Sequence, residues 1–156
     1  MTGLTLDIGD AEAMERLGAA LGAHLHGGEV IYLTGDLGVG KTTLVRGLLR
    51  GRGHAGPVRS PTYTLVEPYE LPPLTLYHLD LYRLADAEEL EWIGIRDLLD
   101  AGSVALVEWP ERGRGVLPAA DLSVTIRYKD PGRWVTLTGH SPVGDWLVGQ
   151  LDKQGS

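Results

Sequence analysis

Cysteine is absent from the 156 residues of the chain, and so is any long apolar run. Without cysteine the protein can form no disulfide, no thiolate metal site and no cysteine nucleophile, a composition that suits a reducing cytoplasm. No uninterrupted apolar stretch approaches the length of a membrane span. The N-terminus also lacks the basic and apolar segments of a signal peptide. We therefore expect a cytoplasmic protein that does not enter a membrane.

Positive charge is scarce as well. The chain has 14 lysine and arginine side chains against 21 aspartate and glutamate side chains, a formal net charge of -7. An acidic domain lacks the basic surface by which proteins grip nucleic acid. We expect no binding to DNA, and any RNA that this protein serves is expected to be held by a partner.

The order of strand-like and helix-like segments predicts one α/β domain over residues 1–156. Short β-rich runs alternate with helical segments through the middle of the chain, which is typical of a mainly parallel sheet. The last two strands suggest an antiparallel addition to one edge. The expected strands are 4–8, 30–33, 63–69, 74–80, 103–108, 122–128 and 134–138. Helices are expected over 11–25, after the glycine loop, and over 86–92, 93–100 and 143–151.

A glycine loop follows the second strand, and it carries the most informative motif. Gly35, Gly40, Lys41 and Thr42 match the Walker A pattern G-x-x-x-x-G-K-[ST]. Glycines allow positive φ, and successive backbone N–H groups at a helix N-terminus then form an anion nest. Lys41 is expected on the β- and γ-phosphates of ATP, and the Thr42 hydroxyl on Mg²⁺. The residues expected to bind nucleotide here are Asp36, Leu37, Gly38, Val39, Gly40, Lys41, Thr42 and Thr43. This motif predicts a P-loop NTPase-like three-layer sandwich.

Two acidic residues stand at the ends of predicted strands. Asp80 ends the run from Leu74, and Glu108 ends the apolar run from Val104. If these strands are parallel neighbours of the P-loop strand, both carboxylates reach the edge where ligands gather. One could hold Mg²⁺, directly or through water, and the other could orient the attacking water. Lys41, Asp80 and Glu108 are thus the candidate catalytic residues, and Thr42, Asp80 and Glu108 the candidate metal ligands.

Other positions leave two interpretations open. Thr62 could lie in a switch that senses the γ-phosphate, or in a proline-initiated turn. His78 fits a satisfied, half-buried histidine better than a ligand. Arg83 could be a catalytic cation, although a surface ion pair is the safer interpretation. Trp109 could pack near the nucleotide or in the core.

Other nucleotide-binding classes fit less well. The chain contains no asparagine, which the Asn-Lys-x-Asp motif of guanine readers needs. A small-molecule kinase is harder to exclude, but no arginine-rich lid is evident. A third hypothesis is a nucleotide-gated interaction module that binds ATP without needing hydrolysis.

Five blocks of sequence resemble the signatures of the bacterial TsaE (YjeE) family. They are residues 35–43, 60–67 (Ser-Pro-Thr-Tyr-Thr-Leu-Val-Glu), 77–83 (Tyr-His-Leu-Asp-Leu-Tyr-Arg), 91–97 (Glu-Trp-Ile-Gly-Ile-Arg-Asp) and 107–110 (Val-Glu-Trp-Pro). With their spacing they cover the chain from about Gly35 to Pro118, and together they are far more specific than the P-loop alone.

The resemblance implies a small cytoplasmic, magnesium-dependent ATPase of tRNA N6-threonylcarbamoyladenosine (t6A) modification. It implies an enzyme that is weak alone and acts with TsaB and TsaD to support repeated turnover, with tRNA contacted only through that complex. By position, Lys41 and Thr42 are the P-loop lysine and metal ligand, and Asp80 and Glu108 the acids of the hydrolysis site. Thr62 falls in the switch-like segment, and Arg133 is placed on the adenine side.

Overall fold

A seven-stranded sheet forms the centre of the protein, in the order β1-β7-β6-β2-β5-β4-β3. The structure is a computed structural model that describes residues 2–36, 38–59, 61 and 64–155, with side chains described as far as residue 153. Its strands are β1 (Gly3–Ile8), β2 (Val30–Thr34), β3 (Val66–Leu71), β4 (Leu74–Asp80), β5 (Ser103–Glu108), β6 (Leu122–Tyr128) and β7 (Arg133–Gly139). Its α-helices are α1 (Ala11–Ala23), α2 (Lys41–Gly51), α3 (Glu88–Trp92), α4 (Ile95–Leu98) and α5 (Pro142–Gly155).

The middle of the sheet is parallel, as predicted, and the expected α/β class is confirmed. Strand β2 pairs in parallel with β5 on one side and β6 on the other, and β5 pairs in parallel with β4. Antiparallel strands stand at both edges rather than at one, because β3 pairs with β4 and β1 with β7. The carboxyl ends of β2, β4 and β5 therefore meet at one edge of the sheet.

Helices cover both faces of the sheet and complete three layers. Buried leucines of α1, α2 and α5 pack in one apolar cluster against one face. Leu90 of α3 and Ile95 of α4 pack in a second cluster against the other face. This sandwich places α2, and with it the glycine loop, on the first face.

Two glycines allow α1 and α2 to pack closely. A Cβ atom added to Gly18 would lie 2.1 Å from the backbone oxygen of Leu44, and one added to Gly47 would lie 2.1 Å from that of Glu15. Neither position has room for a side chain, so the helix that follows the glycine loop is seated tightly against its neighbour.

Several predicted element boundaries differ from the observed ones. Residues 86–100 form two short helices separated by Gly94, which has a φ of +73°. Asp86 precedes the first of them and accepts a hydrogen bond from the Glu88 N–H (2.9 Å). The strand predicted from residue 63 begins at Val66, and the last helix is longer than predicted. Within the described part of the chain, no helix is long and apolar enough to cross a membrane.

Candidate functional site

The glycine loop links the end of β2 to the start of α2. Gly35, Gly38 and Gly40 have φ angles of +152°, +77° and +117°, a region that side chains rarely adopt. At Gly35 an added Cβ would also lie 2.7 Å from the Ile126 backbone oxygen. Gly40 caps α2 without a side chain, so the first N–H groups of the helix face the loop. This arrangement suits an anion such as a phosphate.

Lys41 is a buried cation at the base of this loop, with 6% of its surface exposed. Its Nζ donates a hydrogen bond to the Gly35 backbone oxygen (2.7 Å) and lies 3.5 Å from Glu108 Oε1. It also stands 4.6 Å from the centre of the Trp109 ring. The ammonium is thus held by oxygen ligands that a phosphate could replace.

Asp80 and Glu108 come together, as the parallel-strand argument requires. They are register partners at the ends of β4 and β5, and Glu108 is also the register partner of Leu33 in β2. Their exposed fractions are 9% and 5%. Two carboxylates therefore share the edge at which the glycine loop begins.

His78 contacts the site more closely than its sequence suggests. The prediction of a half-buried residue is wrong, because only 2% of the side chain is exposed. Its Nε2 lies 2.6 Å from Glu108 Oε2, and its buried Nδ1 has no hydrogen-bond partner among the described residues. The two oxygens of Glu108 thus face different partners, with His78 on one and Lys41 on the other. Because side chains alternate along β4, His78 and Asp80 lie on the same face of the sheet. This alternation was the sequence signal that could have placed His78 near the site.

The environment of Asp80 disfavours its charge. Burial raises the pKa of the carboxyl above its ordinary value. The Tyr82 N–H, which donates to Oδ1 (3.0 Å), opposes this rise in pKa. Glu108 reinforces it by charge repulsion, while His78 and Lys41 lower the pKa. A nearby cation would therefore stabilise the ionised form of Asp80.

Trp109 packs in the core, which is one of the two interpretations that the sequence left open. It packs against the second apolar cluster and against the Tyr82 ring (5.0 Å between centres), and its other neighbour is Lys41. Its backbone has a φ of +56°, unusual for a large side chain, at the turn that follows β5. Arg112 lies 5.8 Å from the Tyr82 ring centre. No sequence pattern indicated this contact between Tyr82 and Trp109.

Arg133 lies beside the glycine loop, far along the chain from it. Its Nε donates to the Val39 backbone oxygen (2.9 Å), and its guanidinium lies 4.8 Å from the Tyr128 ring centre. A pocket of about 250 Å³ opens at this place. Asp10, Met14, Gly38, Val39, Thr43 and Arg133 are among the residues that line it.

Mg²⁺ fits the donor set at this edge. Mg²⁺ usually takes one or two carboxylates, keeps several waters and shares the substrate phosphates. Asp80 and Glu108 supply the carboxylates, and Thr42 is exposed at the start of α2. Among the residues that the structure describes, no group of three or more histidines and acids could hold a metal by itself. These oxygen donors could therefore hold Mg²⁺ only together with further ligands such as water or a phosphate.

Two predicted residues, Leu37 and Thr62, lie outside the described residues. The segment after Thr62 returns to the site, because the Asp80 N–H donates to the Leu65 backbone oxygen (3.1 Å). Leu65 in turn donates to the Pro61 oxygen (2.8 Å), and its φ is +71°. Leu65 thus lies against Asp80, one residue before the start of β3. The Arg83 side chain is exposed, and it is not without an interaction partner.

Comparison with known proteins identifies the family. The family model described as threonylcarbamoyl adenosine biosynthesis protein TsaE matches residues 8–135. The chain belongs to the TsaE family. That match includes the glycine loop, both strand-end acids and Arg133.

Curated relatives and a solved structure agree with this assignment. The TsaE protein of Haemophilus influenzae is 49% identical, over 95% of this chain and 97% of its own. The TsaE protein of Bacillus subtilis is 37% identical, over 96% and 92%. Both are described as tRNA threonylcarbamoyladenosine biosynthesis proteins. The crystal structure of Bacillus subtilis YdiB superposes with a TM-score of 0.84 at 28% identity, over 99% of this chain and 97% of that one.

Proposed function

We propose that this TsaE-family protein is a magnesium-dependent ATPase that supports t6A modification of tRNA together with TsaB and TsaD. The observation that carries the proposal is the buried contact of Lys41 with Glu108, directly below a glycine loop. A phosphate-binding cation and a strand-end acid share one site. The names of the relatives supply the pathway.

The phosphates would lie on the glycine loop. Its N–H groups and the N-terminus of α2 attract negative charge. Lys41 would exchange the Gly35 oxygen and Glu108 for the β- and γ-phosphates. The pocket beside Val39 and Arg133 would take the base and ribose, on the side given to adenine by the resemblance.

Hydrolysis would use the two carboxylates at the ends of β4 and β5. Thr42 together with Asp80 and Glu108 would hold Mg²⁺, which neutralises the charge that develops on the phosphates. One of the two carboxylates would hold the metal directly, and the other would reach it through water and orient the attacking water. The contact with His78 would keep Glu108 in place when Lys41 turns to the phosphates. Trp109, which lies beside Lys41, would help to exclude water there.

The role in tRNA modification would be exercised through protein partners. The net charge of -7 disfavours a direct grip on tRNA. ATP hydrolysis would reset the TsaB–TsaD complex between rounds, while transfer of the threonylcarbamoyl group belongs to TsaD. Slow hydrolysis by the isolated chain and faster hydrolysis with TsaB–TsaD are expected.

A reconstitution over several turnovers tests this function. Purified TsaB, TsaD and the adenylate-forming enzyme are supplied with tRNA, with and without this protein, and t6A and free phosphate are both measured. We expect repeated turnover only when the protein and ATP hydrolysis are both present. Phosphate appearing on a small acceptor instead would identify a kinase. Full modification with a variant that binds ATP but cannot hydrolyse it would identify a nucleotide-gated interaction module.

A further inference from the structure

The helix α3 presents a large apolar surface to solvent. Trp92 is 78% exposed and its neighbour Ile93 is 41% exposed, whereas Leu90 and Ile95 on either side of them are fully buried. Leu90 of α3 and Ile95 of α4 both belong to the second apolar cluster, so the exposed pair lies between two buried positions. An exposed tryptophan next to another exposed apolar residue is typical of a protein-interaction site.

The segment that carries these two side chains is acidic. Residues 83–100 contain six acidic and two basic side chains, a net charge of -4. Glu91 pairs with Arg96 (3.2 Å), and Glu89 accepts a hydrogen bond from the Ala85 N–H (3.2 Å). Glu88 is exposed beside them. We call Glu88, Glu91, Trp92 and Ile93 the Trp92 face.

The negative charge of the Trp92 face favours some classes of binding partner and disfavours others. RNA and anionic lipid would be repelled by it, and a second copy of this acidic chain would be repelled too. A protein surface with an apolar pocket rimmed by lysine and arginine would be attracted, and the rim charges would speed the encounter. The tryptophan would then supply most of the binding energy as it enters the pocket.

The Trp92 face is connected to the candidate active site by a short path. Leu84 and Leu90 share the second apolar cluster with Val107, the residue before Glu108. Between them and β4, the Tyr82 N–H holds Asp80 and the Tyr82 ring contacts Trp109. A partner bound at α3 would therefore lie one layer of contacts from the surroundings of Asp80 and Trp109, without touching the nucleotide.

We propose that the Trp92 face is the docking surface for the activating protein partner, whose matching surface is an apolar pocket with a basic rim. This inference rests on the proposed function for the existence of such a partner. It adds the place of contact and the chemistry that the partner must offer.

Binding and activation by TsaB–TsaD test the proposal, with Trp92→Ala, Glu88→Lys and the wild type compared. We expect Trp92→Ala to weaken binding at least about 10-fold, as for a buried aromatic anchor. Glu88→Lys should slow association and reduce its dependence on salt. The ATP hydrolysis rate of each variant without partner should equal that of the wild type. Trp146→Ala is the matched control, because Trp146 is also exposed (43%) but packs beside His24 and His26.

Each outcome decides something specific. If Trp92→Ala binds and is activated like the wild type, the assigned surface is wrong and the proposed function stands. If the wild type neither hydrolyses ATP nor binds TsaB–TsaD, the proposed function fails and this inference with it. If Trp92→Ala changes only self-association, measured by sedimentation, the face serves a second copy and the proposal is overturned.

Discussion

A glutamate is buried at each end of the parallel strands, Glu29 just before β2 and Glu108 at the end of β5. Their exposed fractions are almost equal, 3% and 5%. Glu29 accepts hydrogen bonds from the backbone N–H groups of His26 and Gly27, both at 2.7 Å. Glu108 instead faces the side chains of His78 and Lys41.

The two sets of partners differ in what they allow. The partners of Glu29 lie two and three residues away in the same turn, and backbone groups cannot leave without unfolding it. The histidine partner of Glu108 is 30 residues distant, and Lys41 is a flexible side chain that a phosphate can attract away. Burial of a carboxylate alone therefore gives no reason to expect a function, whereas exchangeable partners beside a glycine loop favour one.

The largest expected effect separates these two glutamates. Glu108→Gln should lower ATP turnover by about 100-fold or more, because an amide can neither accept a proton nor hold Mg²⁺ as a carboxylate does. Glu29→Gln should leave turnover within about twofold, yet lower the free energy of unfolding by about 1–3 kcal/mol, since one backbone N–H loses its acceptor. Steady-state phosphate release and urea unfolding measure the two quantities. The distinction between a functional Glu108 and a structural Glu29 is wrong if Glu29→Gln slows ATP turnover as much as Glu108→Gln does.

A smaller effect is expected at His78, which positions Glu108. His78→Leu removes the donor and should lower kcat about 10- to 100-fold with little change in KM for ATP. His78→Gln keeps a donor near the place of Nε2 and should recover much of the rate. In a Glu108→Gln background, His78→Leu should lower kcat little further, because both changes disable the same carboxylate. If His78→Leu lowers kcat by the same factor in that background as in the wild type, His78 acts independently of Glu108.

The smallest effect concerns stability and its dependence on pH. Burial raises the pKa of Asp80, so the native protein binds that proton more tightly than the unfolded chain does. Stability from this group is therefore present at acid pH and is lost as pH rises through the native pKa. Asp80→Asn keeps an oxygen for the Tyr82 N–H and removes the charge.

The nucleotide-free Asp80→Asn variant should consequently melt above the wild type at neutral pH. The melting temperature should rise by about 2 to 4 °C for each kcal/mol of destabilisation that is removed. This rise should shrink as pH falls toward the range in which an ordinary carboxyl group titrates. Thermal melts from acid to neutral pH provide the measurement. A gain that is the same at every pH would assign the effect to packing rather than to the charge of Asp80.

Much of the site could be predicted because its signals are local. The Walker A spacing, the buried run that ends at Glu108 and the run that ends at Asp80 are each contained within a few residues. Parallel neighbours bring strand ends to one edge, so Asp80 and Glu108 were expected together, and they are register partners. The antiparallel strand β3 at the second edge was not foreseen, because local pattern does not state which strands pair.

The sequence by itself determined the fold class, the glycine loop and the strand-end acids, since backbone conformation and hydrophobic period depend on near neighbours. Only the tertiary structure decided the partners of those acids. The contacts of His78 with Glu108, of Tyr82 with Trp109 and of Arg133 with Val39 join residues far apart in the chain. The fates of Glu29 and Glu108 diverge for the same reason: one finds its partners in its own turn, and the other receives them from different elements of the fold.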